Sequence, residues 1–186
     1  MKDFSMFEQA LKLTSLARPE DLGSVPNISR RTLDEHETIT FRAPVPCLEY
    51  VSLLIENALL LRTNRTGMVY AGFEKLSRLE PVIDRYLRIA DVSEQVYVFG
   101  EADWKPPRHP NMKIISFPGH FRLAREWFII ARSHTLHAAL VAFDEARVEA
   151  PVHEARTFSA FKSGAPAIVA GLATTAEALI DSSQNA

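Results

Sequence analysis

Arg125-Glu126-Trp127 is the segment whose residue types come nearest to a polar binding centre, because a charged pair stands directly before an apolar run. Glu126 could pair with Arg156, accept a hydrogen bond from a ligand, or act as an acid or base. An ordinary ion pair at a sheet end is the plainer reading, since such pairs are common and contribute little. Trp127 reads as core or as the wall of a pocket, because a buried indole N–H needs a partner. Glu56 and Asp144 are the other acids set beside apolar segments. The sequence gives no separation between them, so no catalytic pair follows.

The remaining chemistry-bearing residues support plainer readings. His134 and His137 are three apart in an expected turn, and His153 could join them in space, but no second shell is visible, so surface histidines are expected. Cys47 is the single cysteine, which excludes an internal disulfide. It opens a helix, where a thiol can be activated, yet it stands at an inward position and so reads as a small buried hydrophobe. Arg30 and Arg31, with Lys105 and Arg108, sit near Asp34, Glu35 and Glu37, which makes a mixed solvated surface more economical than a basic patch. None of the seven glycines forms GxGxxG or a P-loop, and GxSxG is absent. No cofactor and no metal is expected.

Seven aromatic residues fall on expected strands or a packed helix: Tyr70, Phe73, Tyr86, Phe99, Trp127, Phe158 and Phe161. They could line a mostly apolar ligand cavity, or fill a close-packed core. The residues chosen for a pocket are Tyr70, Phe73, Arg125, Glu126, Trp127 and Arg156, with rings for apolar contact and charges to orient a polar ligand.

These side chains need a scaffold. Phe4, Phe7 and Leu11 are at helical spacing, so a helix is expected over residues 3–17, with Asp3 as N-cap. Residues 18–36 read as loop, with a short extended piece at Ile28–Thr32. Thr38–Phe41 alternates as a strand. Cys47, Val51, Leu54, Ala58 and Leu61 recur at intervals of three and four, predicting a helix with Pro46 in its first turn and Glu49, Ser52 and Glu56 on another face. Asn64 and Gly67 mark a turn. Strands follow at 68–73, 95–99 and 112–117. A helix over 79–90 with Pro81 in its first turn precedes the second of them. Residues 127–131 and 138–143 read as an antiparallel hairpin, and a charged loop over Asp144–Glu154 separates them from a strand at 157–161. Ser163 and Pro166 begin the last helix. Alternation of strands and helices, then a run of strands, predicts an α/β fold: one mixed sheet with parallel and antiparallel strands, flanked by helices.

The chain has 186 residues, which matches one compact unit. Lys and Arg number 21 against 23 Asp and Glu, a formal charge of -2, so the field that non-specific nucleic-acid binders need is absent. No run reaches the ~18–20 apolar residues of a membrane span, and no apolar run follows Lys2. A cytoplasmic protein without direct membrane or nucleic-acid partners is expected.

In order along the chain, several segments carry a family resemblance. They are Ile28–Thr32, the helix with Glu56, Val69-Tyr70-Ala71-Gly72-Phe73, Arg85-Tyr86-Leu87 and Val96-Tyr97-Val98-Phe99-Gly100. Arg125-Glu126-Trp127, Ala138–Ala142 and Arg156-Thr157-Phe158 complete the series. Together they resemble the DICT sensory domain of diguanylate cyclases and two-component systems. The resemblance implies a DICT-like domain over 28–186, preceded by an N-terminal helix and loop over 1–27. It also implies a prokaryotic signal-input module that is not an enzyme. Such modules are joined to an output unit, and no output segment is visible here. The expectation is therefore a stand-alone sensory and regulatory domain that binds a small-molecule ligand or a partner protein, and signals to an effector protein in trans. Two alternatives are a small enzyme using Glu126 or Glu56 as acid or base, and a structural homodimer formed through the first or last helix.

Overall fold

Short apolar runs bounded by turns become strands that are covered on both faces. The computed structural model describes residues 2–61, 65–145 and 156–184. Eight strands form one sheet: β1 (Glu20–Ser24), β2 (Thr38–Pro44), β3 (Met68–Lys75), β4 (Gln95–Glu101), β5 (Met112–Phe117), β6 (Glu126–Arg132), β7 (His137–Asp144) and β8 (Thr157–Ser163). Their order is β1-β2-β8-β7-β6-β3-β4-β5. The β1–β2, β3–β4 and β4–β5 pairs are parallel, and the four central pairings are antiparallel. The fold is α/β with a single mixed sheet, as the alternation of elements requires.

Strand parity sorts the side chains. Val69, Ala71, Val96, Val98, Ile129, Ala131, Leu140, Ala142, Phe158 and Ala160 face one layer, containing α2 (Arg30–Glu35), α3 (Val45–Leu60) and α4 (Ile83–Asp91). Tyr70, Phe99, Phe128, Ile130, Ala139, Val141 and Phe161 face the other layer, containing α1 (Met6–Leu13) and α5 (Pro166–Gln184). Two buried faces explain the near-continuous apolar strand sequences. Helices α1 and α5 pack on each other, so their apolar sides are covered within the chain. Among the described residues no helix is long and apolar enough to cross a membrane.

Four local expectations are corrected. Residues 18–36 contain β1 and α2. The first is an exposed five-residue edge strand without apolar alternation, created by pairing with β2. The second replaces the extended piece at Ile28–Thr32: the Ser29 hydroxyl accepts from the Thr32 N–H, and Arg30–Asp34 and Arg31–Glu35 add ion pairs one turn apart. The N-cap of α1 is Ser5, whose hydroxyl accepts from the Glu8 N–H, and not Asp3. The expected helix over 79–90 begins as a 3-10 segment, Leu76–Val82, and turns α-helical at Ile83, just after Pro81. Asn64 and most of the charged loop after β7, including His153, lie outside the described residues.

Gly72 of β3 stands opposite Phe128 of β6, and a Cβ there would lie 2.2 Å from Phe128 Cε1, far inside van der Waals contact with that ring edge. Gly72→Ala is expected to destabilise the protein by about 1–3 kcal/mol, the usual cost of overpacking. Adding Phe128→Leu should recover part of that loss. Chemical denaturation of the single and double variants checks both, and an unchanged stability for Gly72→Ala would show that the strands separate there freely.

Candidate functional site

Phe73 and Trp127 are a directly opposed pair across β3 and β6, and both face the layer of α3 and α4. They floor a groove of about 370 Å³. One wall is the face of α3 that carries Glu49, Tyr50, Ser52, Leu53 and Glu56. The other is Arg78 and Val82 of the 3-10 segment with Arg85 of α4. Tyr50 and Leu53 are exposed apolar residues at the rim. The volume falls in the ~300–1,000 Å³ range of small-molecule sites, which are mostly apolar with a few placed polar groups.

The floor is braced from behind. The Phe73 ring meets Tyr86 edge-on, with centroids 5.1 Å apart, and Trp127 meets Phe158 edge-on at 6.4 Å. Arg156 covers the Phe158 ring at 5.0 Å. The Tyr86 hydroxyl donates to Glu56 at 3.1 Å, and Arg85 lies 3.4 Å from the same carboxylate. Burial nevertheless pushes the Glu56 carboxyl above its ordinary value. Ser52 is buried on the same helix face, and its hydroxyl has no hydrogen-bond partner among the described residues. Buried polar atoms are almost always paired, so this hydroxyl is an exception behind the groove wall.

Glu74 closes the end of the groove. It is buried and has φ +53, in the left-handed region that a residue with a side chain seldom adopts. The β3–β4 register breaks between Gly72 and Lys75, which places Glu74 in a bulge. Its carboxylate accepts from Arg156 Nη2 at 2.6 Å and is ion-paired with Arg78. Arg156 also pairs with buried Asp144 of β7, so one guanidinium ties β3 to β7.

The six residues chosen from sequence are not gathered in one pocket. Phe73 and Trp127 line the groove, and Arg156 lies behind Glu74. Tyr70 is on the opposite face, stacked on Tyr97 at 5.6 Å and donating to Glu177 at 2.7 Å. Glu126 also faces that side: its carboxylate accepts from the Ser5 hydroxyl and, at 2.7 Å, from the Met6 N–H, anchoring the start of α1. An expected Glu126–Arg156 pair is therefore replaced by two separate arrangements. Arg125 donates to the Asp144 carbonyl and lies over Phe143 at 4.5 Å. The seven aromatics divide likewise between the faces, because residues an odd number apart on a strand point opposite ways. Cys47 is buried at the start of α3, and burial raises its thiol, the reverse of activation.

Sequence reasoning missed Ser52, Leu53, Tyr50, Glu74, Arg78, Val82 and Arg85 as groove residues. One signal was present, the shared polar face of Glu49, Ser52 and Glu56. Nothing local marked Glu74, whose role depends on the bulge.

A family model described as the sensory domain in diguanylate cyclases and two-component systems (DICT) matches residues 48–145, a segment that contains every groove-lining residue. No curated protein and no solved structure matches the chain.

Glu126 supplies a pH test. Burial raises its carboxyl from 4.5 to about 7, opposed by the Ser5 hydroxyl, the Met6 and Phe7 N–H groups and Arg122. The folded state thus favours the protonated form. That stabilisation is complete below pH 4.5 and is lost as pH rises to about 7. Relative to Glu126→Gln, the wild-type protein should lose on the order of 3 kcal/mol between pH 4.5 and pH 8. Denaturation of both proteins across that range measures it, and a constant difference would mean that Glu126 titrates like an exposed carboxyl.

Proposed function

Because this chain belongs to the DICT family of sensory domains, we propose that it is a non-catalytic signal-input module whose ligand enters the groove between α3 and α4. The observation that carries this reading is a groove of about 370 Å³ floored by the opposed rings of Phe73 and Trp127, within the range of small-molecule sites. A ligand that rests on Phe73 and Trp127 covers apolar surface that the groove leaves open, with the polar groups of its walls to orient it. Of the six sequence-chosen residues, Phe73 and Trp127 contact it in this reading, and Arg156 supports them through Glu74 and Phe158.

Signalling then follows from preference for one conformation. Arg78 and Val82 belong to a short 3-10 segment and Arg85 to the following helix, so a ligand seated against them favours one placement of that wall over another. A separate effector protein that contacts the altered surface reads the change. An acid–base role for Glu126 does not suit this site, since its carboxylate anchors α1 on the opposite face of the sheet. Glu56 is in the groove, but Tyr86 and Arg85 already engage it.

The test is a thermal-shift screen of metabolites run in parallel on the wild type and on Leu53→Trp, which sets an indole across the groove mouth. Compounds that raise the wild-type melting temperature are expected to lose that effect in the variant. They should also shift the emission of Trp127 in a Trp104→Phe background, where it is the one remaining indole. Compounds that stabilise both proteins equally and leave Trp127 unchanged would place ligand binding elsewhere and refute the reading.

A further inference from the structure

We propose that the ligand class of this groove is an aromatic acid, with its ring on Phe73 and Trp127 and its anionic group on the Arg78–Arg85 wall. The inference rests on the groove being the ligand site, and it adds the ligand's chemistry. Its support is the order of charges along the wall. In the Glu74–Arg78 pair the glutamate side chain is 5% exposed and the arginine side chain 32%. In the Glu56–Arg85 pair the values are 10% and 33%. At both places the acid stands behind and the cation in front, so an incoming molecule meets guanidinium groups.

The donors are also incompletely used. A guanidinium carries five N–H donors. Among the described residues Arg78 gives one nitrogen to Glu74, while Glu74 is held independently by Arg156. Arg85 gives Nη1 to Asn57 at 2.9 Å. Arg78, the apolar Val82 and Arg85 line this wall together. Carboxylates form charge-assisted, often bidentate, bonds with such groups. Three carboxylates line the groove: Glu74 and Glu56 are each ion-paired with the arginine in front of them, and Glu49, exposed on the α3 rim, is joined to no described partner by an ion pair. It disfavours a diffuse polyanion more than a compact acid seated on the inner wall.

A matched probe series tests the charge preference: 3-phenylpropionate, 3-phenylpropionamide and 3-phenylpropylammonium, titrated against the full chain by ligand-detected NMR with Trp127 emission in the Trp104→Phe background. The carboxylate is expected to bind about tenfold more tightly than the amide, and the ammonium weakest. Arg78→Met should reduce carboxylate affinity about tenfold and amide affinity by clearly less, and Arg78→Lys should restore part of the carboxylate's loss. Equal or tighter binding of the amide or the ammonium would overturn the acid preference while the groove still binds. Absence of binding by all three, with Trp127 unmoved, would overturn the aromatic-acid class, whereas the groove reading falls only if stabilising compounds act equally on the wild type and Leu53→Trp.

Discussion

A buried guanidinium holds the end of this sheet together. Arg156 precedes β8, yet its charge is shared between Glu74 on β3 and Asp144 on β7. In sheet order β8 neighbours β7, while β3 lies beyond β6. One side chain therefore joins strands that are not hydrogen-bonded neighbours. Removing one partner from such a buried set leaves an uncompensated charge, at a cost of about 3–5 kcal/mol, even where the intact set adds little net stability. The bulge and the left-handed backbone at Glu74 make sense in this light: they turn a carboxylate at a strand end toward two arginines.

The groove inherits its shape from that arrangement. Glu74 places one guanidinium at the end of the groove, and Phe158 transmits the position of Arg156 to Trp127 through an edge-on ring contact. The aromatic floor is thus set by an electrostatic cluster behind it. Rings packed at these angles gain a modest directional energy beyond area burial, and that preference fixes their tilt.

Much of the fold was legible in the sequence because both faces of the sheet are covered. Met68–Phe73, Gln95–Phe99 and the 127–131/138–143 hairpin are apolar runs bounded by polar turns, and such runs have few alternatives to a buried strand. β1 was illegible for the converse reason: Glu20–Ser24 is an exposed edge whose only strand credential is its neighbour. α2 was hidden because its stability comes from a serine cap and side-chain pairs in six residues, too few for periodicity. The site was half legible. Phe73 and Trp127 announced themselves as aromatics, and residue parity alone separates Tyr70 and Glu126 from them. Arg78 carried no local mark and Arg85 was marked only within a family segment, because their place in the groove depends on which acids stand behind them.

The first two residues of β6 serve opposite layers. Glu126 grips the first turn of α1, and Trp127, the next residue, floors the groove. Adjacent side chains on a strand share one peptide plane, so a tilt of that plane raises one and lowers the other. The strand start is a fulcrum: neither the N-terminal helix nor the aromatic floor can be re-seated without the other registering the motion through a single backbone link.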